Sequence, residues 1–323
     1  MSKNRRLLTG SCAVVILLAA LVFMGCPDSK QGETFSNVAK KFSKEPEITV
    51  YMHKTKTTET MPIEEYLLGV VAGEMKPDWP VEAYAAQAIV ARTFTMDFIA
   101  SGGTQEEHGT DISTDEVEAQ AYNAEAITPE IRRAVEMTKG KVMTYRGKYV
   151  KGWFSASCGG KTALAKEGLA YKDPEPPYMR SVSCPEEKVI PKEELFWSEK
   201  FTGEEIKRAL GELGKDVGTV NRMEVAARSK TSYRATTLRF TGTNGQASVA
   251  GADFRIAVDP QKMRSIWRTD LNHSSGVIEM KGRGFGHGVG LCQWGAHALA
   301  KEGKSPEEII KHYYPKVTIM DLW

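Results

Sequence analysis

Glu74 is the residue whose position most strongly indicates chemistry. It lies near the end of PIEEYLLGVVAGEM (62–75), in which apolar residues recur at helical spacing. The pattern predicts a helix over 62–74 with one continuous apolar face, and Glu74 falls on that face. Because burial penalises an ionised carboxylate, its pKa should rise toward the range that a general acid needs near neutral pH. We therefore predict a catalytic acid/base at Glu74; the alternative is a structural carboxylate that pairs with Arg92 or caps the local backbone.

The following predicted helix, 80–100, carries two polar residues that could face the same cleft as Glu74. Gln87 and Arg92 lie about one and a half turns apart on it. An arginine could orient a carboxylate, and a glutamine could bind a sugar amide or hydroxyl. We predict substrate contacts for both residues, with a surface cation as the alternative for Arg92.

A hydroxyl-rich turn, FSASCGGKT (154–162), supplies a second group of candidates. Gly159 and Gly160 indicate a tight turn, and we predict that Ser155, Ser157 and Lys161 bind substrate. Cys158 could act as a nucleophile with His287 as its base, but the sequence alone does not position these two residues relative to each other.

The third segment, GRGFGHGVGLCQWGAHALA (282–300), has glycine at every second position from 282 to 290. Alternation at period two predicts an extended segment with one side free of Cβ atoms, which another backbone or a polymer ligand could approach closely. We predict that His287 and Gln293 contact substrate, with a hydrogen-bonded core histidine as the alternative for His287. The spacing His-x4-Cys-x4-His matches no common zinc pattern, so no metal site and no other cofactor are predicted.

The N-terminal residues indicate the compartment. Lys3, Arg5 and Arg6 precede an apolar run over 7–25 that is long enough to cross a membrane. We predict a cytoplasmic tail (1–6), a transmembrane anchor (7–25) and a linker (26–45), with the rest of the chain outside the cytoplasm. A cleaved signal peptide, or a lipoprotein modified at Cys26, are the alternatives.

The remaining chain, 46–323, is predicted to be one α+β domain. Further helices are expected over 129–140, 202–213 and 305–313, and strands over 48–52, 141–145, 148–155, 222–227, 235–240 and 277–281. The net charge of +2, with no block of Lys or Arg, argues against nucleic acid as a partner. Cys158 and Cys184 could form a disulfide, with free buried thiols as the alternative.

Four segments together resemble the stage II sporulation protein D family, also called the SpoIID/LytB domain. They are EYLLGVVAGEM (65–75), AAQAIVARTF (85–94), SASCGGKT (155–162) and GRGFGHGVGLCQWGA (282–296), with weaker similarity over VAGADFRIAV (249–258). The resemblance implies a lytic transglycosylase that cleaves the N-acetylmuramic acid to N-acetylglucosamine linkage of peptidoglycan. It implies that Glu74 is the catalytic glutamate and that Arg92 is the arginine of the next helix.

The same resemblance implies work at the septum during engulfment in sporulation, with other sporulation membrane proteins and an amidase that first removes stem peptides. Some family members bind zinc just after the second helix, but here the stretch 108–122 has His108 and no cysteine. Many members also have a histidine where this chain has Ser155. A non-catalytic wall-binding protein that enhances an amidase is the alternative function.

Overall fold

The computed structural model describes residues 37–267, 270–274 and 276–323. The predicted tail (1–6), the anchor (7–25) and the linker up to residue 36 lie outside the described residues. No helix within the described ranges is both long and apolar enough to span a membrane.

Helices and strands are mixed in irregular order, which confirms the α+β class. The helices are α1 (Ile63–Glu74), α2 (Val81–Ala100), α3 (Gln105–His108), α4 (Pro129–Met137), α5 (Ala165–Gly168), α6 (Lys192–Leu195), α7 (Gly203–Glu212), α8 (Gly251–Val258), α9 (Gln293–Lys301) and α10 (Pro306–Tyr313). All five predicted helices are present. Ser305 caps α10 through reciprocal bonds with Glu308. Helices α8 and α9 and the one-turn helices α3, α5 and α6 were not predicted.

The strands form small separate sheets. They are β1 (Glu47–Met52), β2 (Thr57–Pro62), β3 (Ile112–Ser113), β4 (Lys141–Tyr145), β5 (Lys148–Tyr149), β6 (Phe154–Ser155), β7 (Phe196–Thr202), β8 (Val220–Arg228), β9 (Ala235–Gly242), β10 (Gly245–Ala250), β11 (Asp270–Ser274), β12 (Val277–Arg283), β13 (Leu291–Cys292) and β14 (Thr318–Asp321). Their orders are β2-β1-β3, β14-β4-β5, β11-β12-β7 and β10-β9-β8, with β13 beside β6. The single strand predicted over 148–155 is instead two short strands, β5 and β6.

The buried residues form three clusters, and two of them meet at α1. Leu67 and Val70 of α1 pack with the β1–β3 sheet, whereas Leu68 and Val71 pack with α2, α9 and α10. Apolar contacts on both sides therefore fix the axis of α1 and the position of its last residue, Glu74. The third cluster joins α7 and α8 to the strands between Phe196 and Arg283.

The segment 284–290 is a loop and not the extended segment predicted from its alternating glycines. Gly284, Gly286, Gly288 and Gly290 all have positive φ. A Cβ at Gly288 would collide with the guanidinium of Arg234, and one at Gly284 would meet the carbonyl of Ser157. The space left by these glycines is thus filled by the protein itself, because the loop packs against the 155–160 turn.

Candidate active site

Glu74 is the last residue of α1, where the chain turns into the extended conformation of Met75. Its Oε1 accepts a hydrogen bond of 2.8 Å from the backbone N–H of Ala121, and its Oε2 lies 3.5 Å from Nε2 of Gln293. Burial raises the pKa of Glu74 to about 7, although both hydrogen bonds oppose the shift. Near neutral pH, this carboxyl can therefore both donate and accept a proton.

Glu74 lines a cleft of about 350 Å³, and the lining of this cleft comes from segments that are distant in sequence. The lining residues are Glu74, Lys76, Trp79, Ala156, Ser157, Glu194, Gln261, Arg264, Phe285, Gln293 and Trp294. The rings of Trp79 and Trp294 lie 4.7 Å apart between centroids. A cleft with aromatic walls and one partly protonated carboxyl suits a carbohydrate, because sugar rings pack on aromatic faces while their hydroxyls need polar partners.

Three charged residues in this cleft were missed by sequence reasoning. Lys76 and Glu194 form an ion pair of 2.9 Å, and the half-buried Arg264 lies on the same lining. The carbonyl of Arg264 accepts a hydrogen bond from Gly286, which ties it to the glycine loop. Their local sequence resembles that of ordinary surface loops, so no spacing or motif distinguished them.

Two of the predicted substrate-binding residues, Ser157 and Gln293, line the cleft beside Glu74. Ser155 and Lys161 do not. Ser155 is 7% exposed and faces Gly286, whereas the ammonium of Lys161 lies 5.9 Å from the ring centroid of Tyr233. The hydroxyl-rich turn therefore brings Ala156 and Ser157 to the cleft, whereas Ser155 and Lys161 pack elsewhere against the protein.

Arg92 and Gln87 require a correction, because both are fully buried and neither lines the cleft. Arg92 forms a two-pronged ion pair with Glu64, with Nε–Oε1 and Nη2–Oε2 distances of 3.0 and 2.5 Å. Its Nη1 also donates to the carbonyl of Lys141. Arg92 thus neither pairs with Glu74 nor is left free for a ligand; it joins α2 to the start of α1.

His287 also lies outside the cleft lining. Its Nδ1 accepts a hydrogen bond of 3.0 Å from the N–H of Val289 within the glycine loop. Burial and the nearby cations Arg255 and Arg234 lower its pKa to about 3, so the ring is neutral at physiological pH. Cys158, its suggested partner in a nucleophilic pair, is fully buried and in contact with Glu186 and Cys292.

The stretch 108–122 assembles no metal site within the part of the chain that the structure describes. His108 stacks on Tyr51 and bonds to Glu118 through Nε2. One group of potential ligands does occur in the described residues, behind the cleft, and consists of Cys158, Cys184, Glu186 and Cys292. The three cysteines are free thiols, so the suggested Cys158–Cys184 disulfide is absent here.

Two family models match separate parts of the chain. One described as "Stage II sporulation protein" covers residues 51–145, which include α1, α2 and Glu74. One described as a domain of unknown function (DUF8618) covers residues 171–290, which include the third core cluster.

Relatives that match most of this chain extend the comparison. An uncharacterized protein of Brachyspira hyodysenteriae is 32% identical over 80% of this chain and 67% of its own length. Stage II sporulation protein D of Bacillus amyloliquefaciens is 29% identical over 98% of this chain and 95% of its own. The amidase enhancer of Bacillus subtilis is 26% identical over 78% of this chain and 40% of its own. The chain belongs to the stage II sporulation protein D family.

Proposed function

We propose that this protein is a membrane-anchored lytic transglycosylase that cleaves the bond between N-acetylmuramic acid and N-acetylglucosamine in peptidoglycan strands. The observation that carries the proposal is Glu74, whose pKa of about 7 combines with a position in an aromatic-walled cleft. Family membership supports a role at the cell wall, since relatives include sporulation proteins and an amidase enhancer.

In the proposed reaction, Glu74 alone supplies acid and base. The protonated carboxyl donates its proton to the glycosidic oxygen as the bond to the anomeric carbon breaks. The 6-hydroxyl oxygen of the same N-acetylmuramic acid then bonds to that carbon, and the Glu74 carboxylate accepts the hydroxyl proton. The product is a 1,6-anhydro sugar, Glu74 returns to its starting state, and no water is consumed.

The surroundings of Glu74 favour this reaction over hydrolysis by two carboxylates. Glycosidases of the common type place a second carboxylate on the opposite side of the scissile bond. Glu194 is the other carboxylate that lines the cleft, and the ion pair with Lys76 already engages it. An intramolecular nucleophile requires neither a positioned water nor that second group.

Substrate binding in this proposal belongs to Gln293, Arg264 and the aromatic side chains of the cleft. Ser157 lines the cleft, but its hydroxyl is buried. Trp79 and Trp294 line the cleft side by side. The preference for a strand from which the stem peptides have been removed is part of the proposal and rests on the family resemblance. An amidase that removes these peptides would therefore act first.

The deciding experiment is digestion of purified glycan strands, with and without stem peptides, followed by mass spectrometry. We expect 1,6-anhydro-N-acetylmuramic acid ends, each one water lighter than the hydrolytic product, and faster cleavage of strands without peptides. Only reducing ends would indicate a hydrolase, and Glu194 would then be the first residue to test.

A non-catalytic amidase enhancer is the second candidate, and similarity to the Bacillus subtilis amidase enhancer favours it. In that case, Glu74→Gln would stimulate a cell-wall amidase as well as the unchanged protein does, and neither would cleave strands alone. Cleavage by the unchanged protein, lost in Glu74→Gln, would reject this candidate.

The cellular setting is also a proposal. It rests on the cationic start, the apolar run over 7–25 and the names of the relatives. A reporter fused after Lys44 should be digested by protease added to spheroplasts, whereas protection would reject the topology. Deletion of the gene in a spore-forming host should stop engulfment, and normal engulfment would place the enzyme in another kind of wall remodelling.

A further inference from the structure

Three cysteines and one glutamate converge directly behind the cleft. The sulfur atoms of Cys158, Cys184 and Cys292 and a carboxylate oxygen of Glu186 all lie within 4.8 Å of one another. All four residues are buried. They come from three distant segments, namely the 154–162 turn, the 3₁₀ turn at Pro185–Lys188 and the start of α9.

We propose that these four residues form a structural zinc site. In a tetrahedral site with zinc–sulfur bonds of about 2.3 Å, the ligand atoms lie roughly 3.8 Å apart. Oε1 of Glu186 is 3.7 Å from Sγ of Cys158, and Oε2 is 3.0 Å from Sγ of Cys292. The spacing therefore needs only small side-chain adjustments to admit the ion, and three sulfurs with one oxygen suit a borderline-soft cation.

Glu186 provides the second, independent argument. A buried carboxylate is costly unless it is paired with a cation or bound to a metal. Among the described residues, the nearest cations, Arg234 and Arg283, act on Glu186 only through longer-range electrostatics, and Arg283 forms its ion pair with Glu187 instead. A disulfide between two of the cysteines would leave this carboxylate with no cation in direct contact, whereas zinc would bind it directly.

The groups around the sulfurs are those that support metal-bound thiolates. The backbone N–H groups of Cys158 and Gly295 lie 3.3 and 3.4 Å from Sγ of Cys292, and Oη of Tyr313 lies 3.2 Å from Sγ of Cys184. Such second-layer donors orient ligands and stabilise their negative charge. The buried guanidinium of Arg234, which donates to the Cys158 carbonyl, adds a positive charge beside a site that carries excess negative charge.

The site is closed, which indicates a structural and not a catalytic metal. Four protein ligands leave no coordination position for water or substrate. Cys158 directly follows Ser157, and Cys292 directly precedes Gln293. The zinc would thus fix the backbone of two cleft residues and hold the 3₁₀ turn against both.

Metal analysis of the full-length protein, purified with zinc present and then dialysed, tests the proposal without any activity assay. We expect about one zinc ion per chain, loss of it in Cys184→Ser, and retention of it in the control Cys12→Ser, whose cysteine belongs to the N-terminal apolar run. Removal of zinc by a strong chelator should lower the Tm of the unchanged protein, because binding to the folded state stabilises it.

Cobalt replacement keeps the proposal testable if Cys184→Ser fails to fold. Cobalt in the unchanged protein should give sulfur-to-cobalt charge-transfer bands and the visible bands of a tetrahedral site. A folded protein that holds no zinc, has a Tm unaffected by the chelator and shows no such bands would overturn the proposal. A Cys158–Cys184 disulfide found by peptide mapping would also overturn it.

Discussion

The side-chain amide of Gln293 lies 3.5 Å from Oε2 of Glu74, so the first residue of α9 meets the last residue of α1. Oε1 is held more closely, at 2.8 Å from the N–H of Ala121. Oε2 is therefore the more weakly bonded oxygen and the better placed to exchange a proton with a ligand.

Replacing Glu74 with glutamine should abolish strand cleavage while leaving the fold intact. Glutamine keeps the shape and its oxygen can still accept the hydrogen bond from the N–H of Ala121, but it has no transferable proton, and acid/base catalysis contributes about 10²–10⁴-fold. Release of anhydro ends from purified strands is the measurement. The matched control is Glu194→Gln, which should retain the same products. Equal rates for Glu74→Gln and the unchanged protein would remove Glu74 from the mechanism.

The rate of cleavage should fall as pH rises through about 7. The reaction begins with protonated Glu74, and burial raises its pKa from an ordinary value of 4.5 to about 7. Because the Gln293 hydrogen bond lowers this pKa, Gln293→Leu should move the decline to higher pH. Profiles of kcat/KM for both proteins check this, and a decline centred near pH 4.5 would contradict the buried acid.

The unfolding free energy should also depend on pH through the Glu74 carboxyl, and the raised pKa fixes the direction of that dependence. A folded-state pKa above the unfolded value means that the stability contributed by protonated Glu74 is complete below pH 4.5 and is lost as pH rises to about 7. Above pH 7, Glu74→Gln should exceed the unchanged protein in unfolding free energy, by at most roughly 3 kcal/mol. Urea unfolding of both proteins at pH 4 and pH 8 measures the difference between their unfolding free energies. If that difference were the same at both pH values, the prediction would be wrong.

Arg264→Gln should weaken strand binding and leave the chemical step largely unchanged. A hydrogen bond from a charged donor contributes about 1.5–3 kcal/mol, which corresponds to roughly 10–100-fold in KM. Steady-state kinetics on soluble strands separates KM from kcat. The control is Arg239→Gln, because Arg239 is exposed on β9 and pairs with Glu224 away from the cleft. A similar rise in KM for both variants would indicate general electrostatic attraction and no specific contact.

Arg92→Met should destabilise the fold by about 3–5 kcal/mol, because it leaves the buried carboxylate of Glu64 without its cation. The double variant Glu64→Gln, Arg92→Met should recover much of that loss. Denaturant unfolding of the three proteins is the measurement. A fully stable Arg92→Met with raised KM would instead support the substrate-binding role expected from sequence.

The sequence by itself determined the local structure and the principal catalytic candidate. Apolar spacing predicted α1 and placed Glu74 at the end of its apolar face, and the helix predicted over 305–313 is α10. These features depend on neighbours within a turn or two, where helical periodicity and capping chemistry operate. The resemblance identified from four short segments is likewise contained in the sequence.

Only the tertiary structure decided which distant residues meet. Arg92 pairs with Glu64 and not with Glu74. The alternating glycines pack against the 155–160 turn and Arg234, which occupy the space that was predicted for a ligand. Arg264 and Glu194 reach the cleft from segments that have no distinctive spacing. The prediction of no metal site considered only potential ligands that are close in sequence. In the structure, Cys292 contacts Cys158 and Glu186, each of which is more than a hundred residues away along the chain. Such contacts follow from how separate elements pack, and that packing depends on the whole core and not on the local pattern of any one segment.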